Sequence, residues 1–313
     1  MSTALETPDA LLKRLEWTVT RPLDGLLQGD HRAWWRGVGL DLADLREYQP
    51  HDDVRHIDWN VTARMNAPYV RQYMEDRDLS LWLLMDLSGS MQCGSGGRSK
   101  WQVAREFAGV MGRLCTRHGN RVGALLYGQQ VEGILPARTG RQQVLHLLQR
   151  IVPLSTGTPR TSPATPAHGT RLCDLLDGAQ RALRRRSCVL VVSDFISDGP
   201  WPAALSRLSI RHDVTAIRLT DPLDAALPAC GWVTVTDAET GEQVTVDSLD
   251  PGLQARYTQA AAAHEARLQE ALMTSGVDTL ELATDAPLLE QLLRFTDLRQ
   301  RTHRFTPARR GSA

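Results

Sequence analysis

Residues 79–91 read LSLWLLMDLSGSM. The apolar run at the start of this stretch predicts a buried strand that ends at Asp86. Ser88 and Ser90 follow on alternate positions, so three side chains that carry oxygen come directly after the strand. Hard divalent cations prefer oxygen ligands over nitrogen or sulfur. The stretch therefore predicts a strand of a sheet whose carboxyl end carries the beginning of a metal site.

Composition limits the possible function classes. The 313 residues are enough for one large α/β domain or two smaller ones. Lys plus Arg and Asp plus Glu both number 36, so the broad basic field typical of nucleic-acid binding is missing. The five cysteines are widely spaced and form no CxxC motif, which argues against a disulfide framework and a zinc site. No apolar run approaches the roughly 18 residues of a membrane span, and we expect a cytoplasmic protein with no transmembrane segment.

From residue 79 onward, short apolar runs alternate with longer segments of helical period. This alternation is typical of a mostly parallel sheet covered by helices. The predicted strands are 79–86, 121–128, 131–138, 188–194, 213–221 and 277–284, with a hairpin at 233–247 that turns near 239–241. The predicted helices are 100–119, 141–152, 170–186, 202–210, 251–275 and 287–296. The fold class is therefore α/β: a three-layer α/β/α, doubly wound, mostly parallel sheet.

The chain divides into three predicted parts. Residues 1–78 hold several tryptophans and dense mixed charge but little regular period, and we expect them to form an N-terminal segment packed on the core. Residues 79–300 form the α/β domain, and 301–313 form a basic, polar tail. The segment 153–169 is rich in Pro, Thr, Ser and Gly and predicts a surface loop.

The candidate site lies where several of these elements end. In an open parallel sheet, ligands bind beyond the carboxyl ends of the strands. Asp86 and Asp194 sit at two such ends, and Thr170 opens a helix after the long loop. Two carboxylates and three hydroxyls suit Mg²⁺, with Mn²⁺ or Ca²⁺ as alternatives, and one coordination position is left for an acidic group of another molecule. The predicted metal ligands are Asp86, Ser88, Ser90, Thr170 and Asp194.

Simpler explanations and an enzymatic one stay open for the same residues. Asp86, Ser88 and Thr170 are also residue types that cap helices, and Asp194 also suits a turn after a strand. The segment 89–95 (GSMQCGS) has the glycine spacing of a phosphate-binding loop but lacks its lysine, and no GxSxG motif is present. We expect a protein that is not an enzyme. The alternative is a metal-dependent hydrolase or phosphotransfer protein that uses the same crevice.

The DLSGS stretch, with Thr170 in HGTRLCDLL and Asp194 in VVSDF, resembles the metal-ion-dependent adhesion site (MIDAS) of von Willebrand factor A domains. The resemblance maps Asp86, Ser88 and Ser90 onto the DxSxS motif and makes Thr170 and Asp194 the later ligands. It implies a von Willebrand A-like domain that binds Mg²⁺ and docks an acidic residue of a protein partner, with Asp194 acting through water.

Residues 37–86 resemble the bacterial domain-of-unknown-function family 58, whose hallmark is the REYQP-x-DDVR-x-IDW stretch at 46–59. The two resemblances together cover roughly residues 30–300. Members of that family are often found with MoxR-type AAA+ ATPases, which implies a role as partner or adaptor in chaperone-like assembly or maturation. Many longer relatives carry transmembrane segments, whereas this sequence shows none.

Overall fold

A computed structural model describes residues 6–26, 45–48, 57, 59, 62, 67–71, 80–128, 130–155, 171–197, 199–236 and 242–305. Most of the REYQP-x-DDVR-x-IDW stretch, residues 156–170 with Thr170, and the predicted turn at 239–241 lie outside the described residues. The same holds for the end of the predicted polar tail, residues 306–313.

The described part contains ten strands. They are β1 (Leu45–Glu47), β2 (Tyr69–Arg71), β3 (Ser80–Asp86), β4 (Arg121–Tyr127), β5 (Val131–Arg138), β6 (Cys188–Ser193), β7 (Asp213–Thr220), β8 (Trp232–Thr236), β9 (Gln243–Asp247) and β10 (Asp278–Ala283). The α-helices there are α1 (Pro8–Leu15), α2 (Arg21–Leu26), α3 (Lys100–Arg117), α4 (Arg141–Ser155), α5 (Leu172–Ala182), α6 (Trp201–Arg211), α7 (Pro222–Ala225), α8 (Pro251–Ser275) and α9 (Leu288–Phe305). A π-helical turn, Glu16–Thr20, joins α1 to α2, and a 3₁₀ turn, Gly89–Gln92, follows β3.

Six strands form the central sheet, in the order β10-β7-β6-β3-β4-β5. All neighbours are parallel except β5, which pairs with β4 as the predicted antiparallel hairpin. The chain leaves β3 for β4 on one side and later returns to its other side as β6. The point at which the winding reverses therefore lies between β3 and β6, which is where an α/β sheet forms a crevice.

Helices cover both faces of this sheet. Alternate residues of β3 point to opposite faces, so Leu83 joins one buried cluster and Leu84 the other. The first cluster includes side chains from α3, α4, α9 and the N-terminal helix α1. The second includes side chains from α5, α6 and α8. The predicted three-layer α/β/α architecture is confirmed.

Helix α3 begins directly after the loop that follows β3. The Ser99 hydroxyl accepts from the Gln102 N–H at 3.3 Å, and the Gln102 side chain accepts from the Ser99 N–H at 2.8 Å, which completes a capping box. The helix ends two residues before Gly119, whose φ of 77° is the left-handed conformation that favours glycine. The capping box fixes Lys100 as the first residue of the helix.

Two helix ends differ from their predicted positions by four residues or more. Helix α5 ends at Ala182 rather than 186 because Leu183 has an extended backbone, with φ −89° and ψ 99°, and is buried. Helix α9 continues to Phe305 rather than ending at 296. Local pattern sets the existence of an element more firmly than its last residue, because burial of a side chain just past the end, as at Leu183, is a tertiary effect.

The N-terminal helix α1 is anchored to α3 and α4. Leu11, Leu12 and Leu15 are buried in the first cluster. Its edges are tied down by polar contacts, since Arg105 donates to the Glu6 carbonyl at 2.9 Å and Arg141 pairs with Asp9 at 2.6 Å. Residues 8–23 therefore belong to the folded body.

Two further observations concern membrane-spanning helices and the cysteines. None of the helices in the described ranges is long and apolar enough to cross a bilayer. The five cysteines all fall within the described residues and are free thiols.

Candidate functional site

Asp86 ends β3 at the centre of the sheet, and its carboxylate is held at both oxygens. The Ser88 N–H donates to Oδ1 at 3.0 Å, and the Ser193 hydroxyl at the end of β6 donates to Oδ2 at 2.6 Å. The residue is only 6% exposed. These contacts fix the orientation of the carboxylate where β3 and β6 end side by side.

The two serines of the loop after β3 point to one place. Their hydroxyl oxygens, Ser88 Oγ and Ser90 Oγ, lie 3.0 Å apart. The turn that carries them is anchored because Leu87 N–H donates to the Tyr127 carbonyl at 2.7 Å and Met91 is fully buried. The two hydroxyls therefore lie together in the turn that directly follows Asp86.

Asp194 follows β6, the neighbour of β3. Its Oδ1 accepts from the Ile196 N–H at 3.1 Å, and its Oδ2 lies 3.4 Å from Lys100 Nζ. Phe195, the next residue, has φ 59°, a conformation that non-glycine residues rarely adopt. The Phe195 N–H donates to Ser193 Oγ at 2.9 Å, the same hydroxyl that donates to Asp86. A sharp turn stabilised in this way keeps the two aspartates on one side of the sheet edge.

The two carboxylates affect one another electrostatically. Burial raises the pKa of Asp86, and the negative charge of Asp194 raises it further, to about 6, against the lowering effect of the hydrogen bonds from Ser193 and Ser88. In the absence of a metal, ionisation of Asp86 therefore costs free energy in the folded protein. A divalent cation held at Asp86 would offset that cost.

This cost predicts how stability depends on pH in the metal-free protein. Since the folded-state pKa of Asp86 is raised, its favourable contribution is present below about pH 4 and is lost as pH rises through about 6. Asp86→Asn carries no such charge, so in EDTA we expect this variant to exceed the wild type in unfolding free energy by about 2–3 kcal/mol above pH 7. At pH 4 the excess should vanish. Urea unfolding across pH 4–8 measures it, and an excess that does not change with pH would contradict the argument.

The candidate set has the chemistry of a hard-cation site. Asp86 and Asp194 supply carboxylates and Ser88 and Ser90 supply hydroxyls, all oxygen donors of the kind that Mg²⁺ takes while keeping some of its waters. Across the described ranges, no cluster of three or more His, Cys, Asp or Glu side chains is arranged to hold a metal. The donor set is thus mixed, with hydroxyls in place of further carboxylates, and it fits Mg²⁺ better than a soft or borderline metal.

The structure brings together four of the five predicted ligands. The fifth, Thr170, lies outside the described residues. Its neighbour Arg171 is described: the Arg171 N–H donates to the Tyr127 hydroxyl at 3.1 Å, at the end of the strand beside β3. The assignment of these residues as metal ligands stays a prediction.

Sequence reasoning missed two charged residues at this edge. Lys100 is 1% exposed and contacts Asp194, and Asp221 after β7 is 4% exposed and joins the loop after β3 to the end of β10. A signal existed for each. A lysine at the first position of a helix opposes the helix dipole, and Asp221 is the third aspartate to follow a buried strand directly.

Comparison with known proteins identifies relatives over most of the chain. A family model described as "Protein of unknown function DUF58" matches residues 44–267. Uncharacterized proteins of Mycobacterium tuberculosis and Mycobacterium bovis are each 39% identical over 294 residues, covering 93% of this chain and 90% of the relative.

Solved structures with lower similarity were also found. An aerotolerance-related membrane protein of Bacteroides fragilis is 16% identical, covers 71% of this chain and 99% of its own, and has a TM-score of 0.44. BatB of Bacteroides thetaiotaomicron is 12% identical with the same coverages and a TM-score of 0.42. The VWA domain of SpRpn10 is 13% identical, covers 69% of this chain and 94% of its own, and has a TM-score of 0.38.

Proposed function

The chain belongs to the family described as Protein of unknown function DUF58, and we propose that it is a metal-dependent protein-binding module. In this proposal Asp86, Ser88 and Ser90 hold Mg²⁺, or Mn²⁺ or Ca²⁺ in its place. Asp194 and Thr170 complete the set. The bound cation supplies positive charge at the sheet edge, to which an acidic side chain of a partner protein is attracted.

One observation carries the proposal: two buried carboxylates and two serine hydroxyls converge at the carboxyl edge of the central strands. Burial and, as a smaller cause, the negative charge of Asp194 raise the pKa of Asp86. A divalent cation would offset both effects. Hydroxyl ligands bring no charge of their own, so the cation keeps part of its attraction for an acidic group.

An exposed apolar side chain lies beside the site. Ile196 lies two residues after Asp194 and is 45% exposed, so a protein partner could pack on it. A partner that places a carboxylate on the metal would cover Ile196 at the same time. We therefore infer a docking role for the protein rather than an enzymatic one.

The proposed partner is a MoxR-type AAA+ ATPase, with this chain acting as its partner or adaptor in protein assembly or maturation in the cytoplasm. The support is the family resemblance of the sequence. The metal-dependent docking of an acidic residue explains how such a partner would be recognised.

The experiment is a binding assay between the full chain and a purified MoxR-type ATPase of the same organism. We expect binding in millimolar Mg²⁺, loss of binding in EDTA and recovery when Mg²⁺ is returned. Equal binding in both conditions would overturn metal-mediated docking. Hydrolysis of phosphoesters by the purified chain, lost in EDTA, would favour the hydrolase alternative instead.

A matched pair of variants tests the position of the docking surface. Ile196→Ser should weaken binding about ten-fold because it removes the apolar contact beside the metal. Ile210→Ser is the control: Ile210 is 83% exposed, and it lies at the carboxyl end of α6, which precedes β7 and so is directed toward the opposite edge of the sheet. Equal effects of both changes would contradict docking at the metal edge.

A further inference from the structure

Lys100 places a buried positive charge directly beside the candidate metal site. Its ammonium nitrogen lies 3.4 Å from Asp194 Oδ2 and 2.9 Å from Asp224 Oδ1. The side chain is 1% exposed, as is that of Asp194. The ammonium is therefore a fixed part of the site rather than a mobile surface charge.

Burial of a charged side chain at this position costs free energy, which indicates that the charge has a function. The ammonium is stabilised in this buried place because two carboxylates, those of Asp194 and Asp224, contact it. The amino end of α3 adds the unfavourable positive end of its dipole. A neutral side chain of similar length would fill the same space without this cost.

Asp224 gives the ammonium a second partner that is held in place independently of the metal. Its Oδ2 accepts from the Asp221 N–H at 2.9 Å, within the capping box that starts α7. Its Oδ1 faces Lys100. The ammonium therefore keeps a carboxylate partner when Asp194 turns toward another cation.

We propose that Lys100 sets the metal affinity of the site: its ammonium competes with the metal for Asp194 and keeps the affinity for a free divalent cation low. The inference rests on the proposed metal-dependent function and adds its regulation. Because the ammonium also adds positive charge next to the bound metal, the site favours the metal together with an acidic ligand over the metal alone. Such a site would be filled in the presence of its partner rather than permanently.

The test measures the Mg²⁺ affinity of the full chain by calorimetric titration after EDTA treatment and dialysis. Lys100→Met and Lys100→Gln remove the charge and should each bind Mg²⁺ at least about ten-fold more tightly than the wild type. Asp224→Asn removes the second carboxylate partner of the ammonium, so the ammonium interacts with Asp194 alone and competes more strongly with the metal. This variant should bind Mg²⁺ at least about three-fold more weakly than the wild type. Circular dichroism in EDTA verifies that each variant is folded.

The outcomes separate this inference from the proposed function. Tighter binding by the lysine variants together with weaker binding by Asp224→Asn supports competition. Wild-type affinity in the lysine variants, or an unchanged affinity in Asp224→Asn, overturns the inference and leaves the metal site standing. Failure of the wild type itself to bind Mg²⁺ overturns both. If the lysine variants do not fold, Asp224→Asn still decides, because it keeps the buried lysine in place.

Discussion

Asp86→Ala is expected to abolish Mg²⁺ binding and with it the Mg²⁺-dependent capture of the partner, while the sheet stays folded. Asp86 is a central carboxylate of the proposed donor set, and its Oδ1 also accepts from the Ser88 N–H that orients the serine loop. The change removes a charge and should loosen the turn that carries Ser88 and Ser90. We expect the Mg²⁺ affinity to fall at least about 100-fold, measured by calorimetric titration beside the partner-binding assay.

The control for this experiment is Asp177→Ala. Asp177 lies on α5 with 46% of its side chain exposed and pairs with Arg207 at 3.2 Å on the surface. Asp177 matches Asp86 in charge but lies away from the carboxyl edge of the sheet. The affinities of Asp177→Ala for Mg²⁺ and for the partner should therefore equal those of the wild type. Retention of Mg²⁺-dependent capture by Asp86→Ala would refute the assignment of this carboxylate to the metal.

The second large effect is on stability, and it concerns Asp221. This carboxylate accepts from Ser95 N–H at 2.8 Å, Ser95 Oγ at 3.0 Å and Leu223 N–H at 2.9 Å, and also from the Thr284 hydroxyl. It thereby ties the loop after β3 to the start of α7 and the end of β10. Asp221→Ala leaves these donors without their acceptor in a buried place, and we expect a loss of about 3 kcal/mol in unfolding free energy by urea titration.

The pKa of Asp221 gives this stabilisation a pH dependence. Burial alone would raise that pKa, but the hydrogen bonds from Thr284, Leu223 and Ser95 lower it overall. A lowered pKa means that the contribution is present above about pH 4 and is lost as pH falls further through the folded-state pKa. The difference between the wild type and Asp221→Ala should therefore shrink in acid.

Asp250→Ala is the matched control for the stability experiment. Asp250 caps α8 in an exposed position, where its carboxylate accepts from the Gly252 N–H at 2.9 Å. Loss of an exposed cap costs about 1 kcal/mol. Equal losses in the two variants would contradict a clamping role for Asp221.

Much of the fold could be predicted because the four central strands of this sheet, β3, β4, β6 and β7, are buried at most positions. Strand β6 (CVLVVS) is buried at every residue and therefore reads as a continuous apolar run. The long helices α3 and α8 are confirmed because their apolar patterns and their caps are local features of the sequence. Helix α8, for example, has Asp250 as its N-cap and Gly276 as its C-cap. The family prediction is confirmed for the same reason, since it rested on contiguous motifs.

The charged surroundings of the candidate site could not be predicted in the same way. The contact between Lys100 and Asp194 spans 94 positions of the chain, and that between Ser95 and Asp221 spans 126. Neither pairing can be seen in the local sequence pattern, because both form only when the carboxyl ends of β3, β6 and β7 meet at one edge of the sheet. Ser193 ends β6 as predicted, but the sequence pattern does not indicate that its hydroxyl also joins the turns that carry the two aspartates.

The most direct measurement is a crystal of the chain soaked in Mn²⁺, with anomalous scattering used to locate the ion. We predict one peak at the carboxyl edge, within coordination distance of the hydroxyl oxygens of Ser88 and Ser90 and of the Asp86 carboxylate or a water bound to it. A fully occupied ion elsewhere, or no ion at this edge at saturating Mn²⁺, would contradict it.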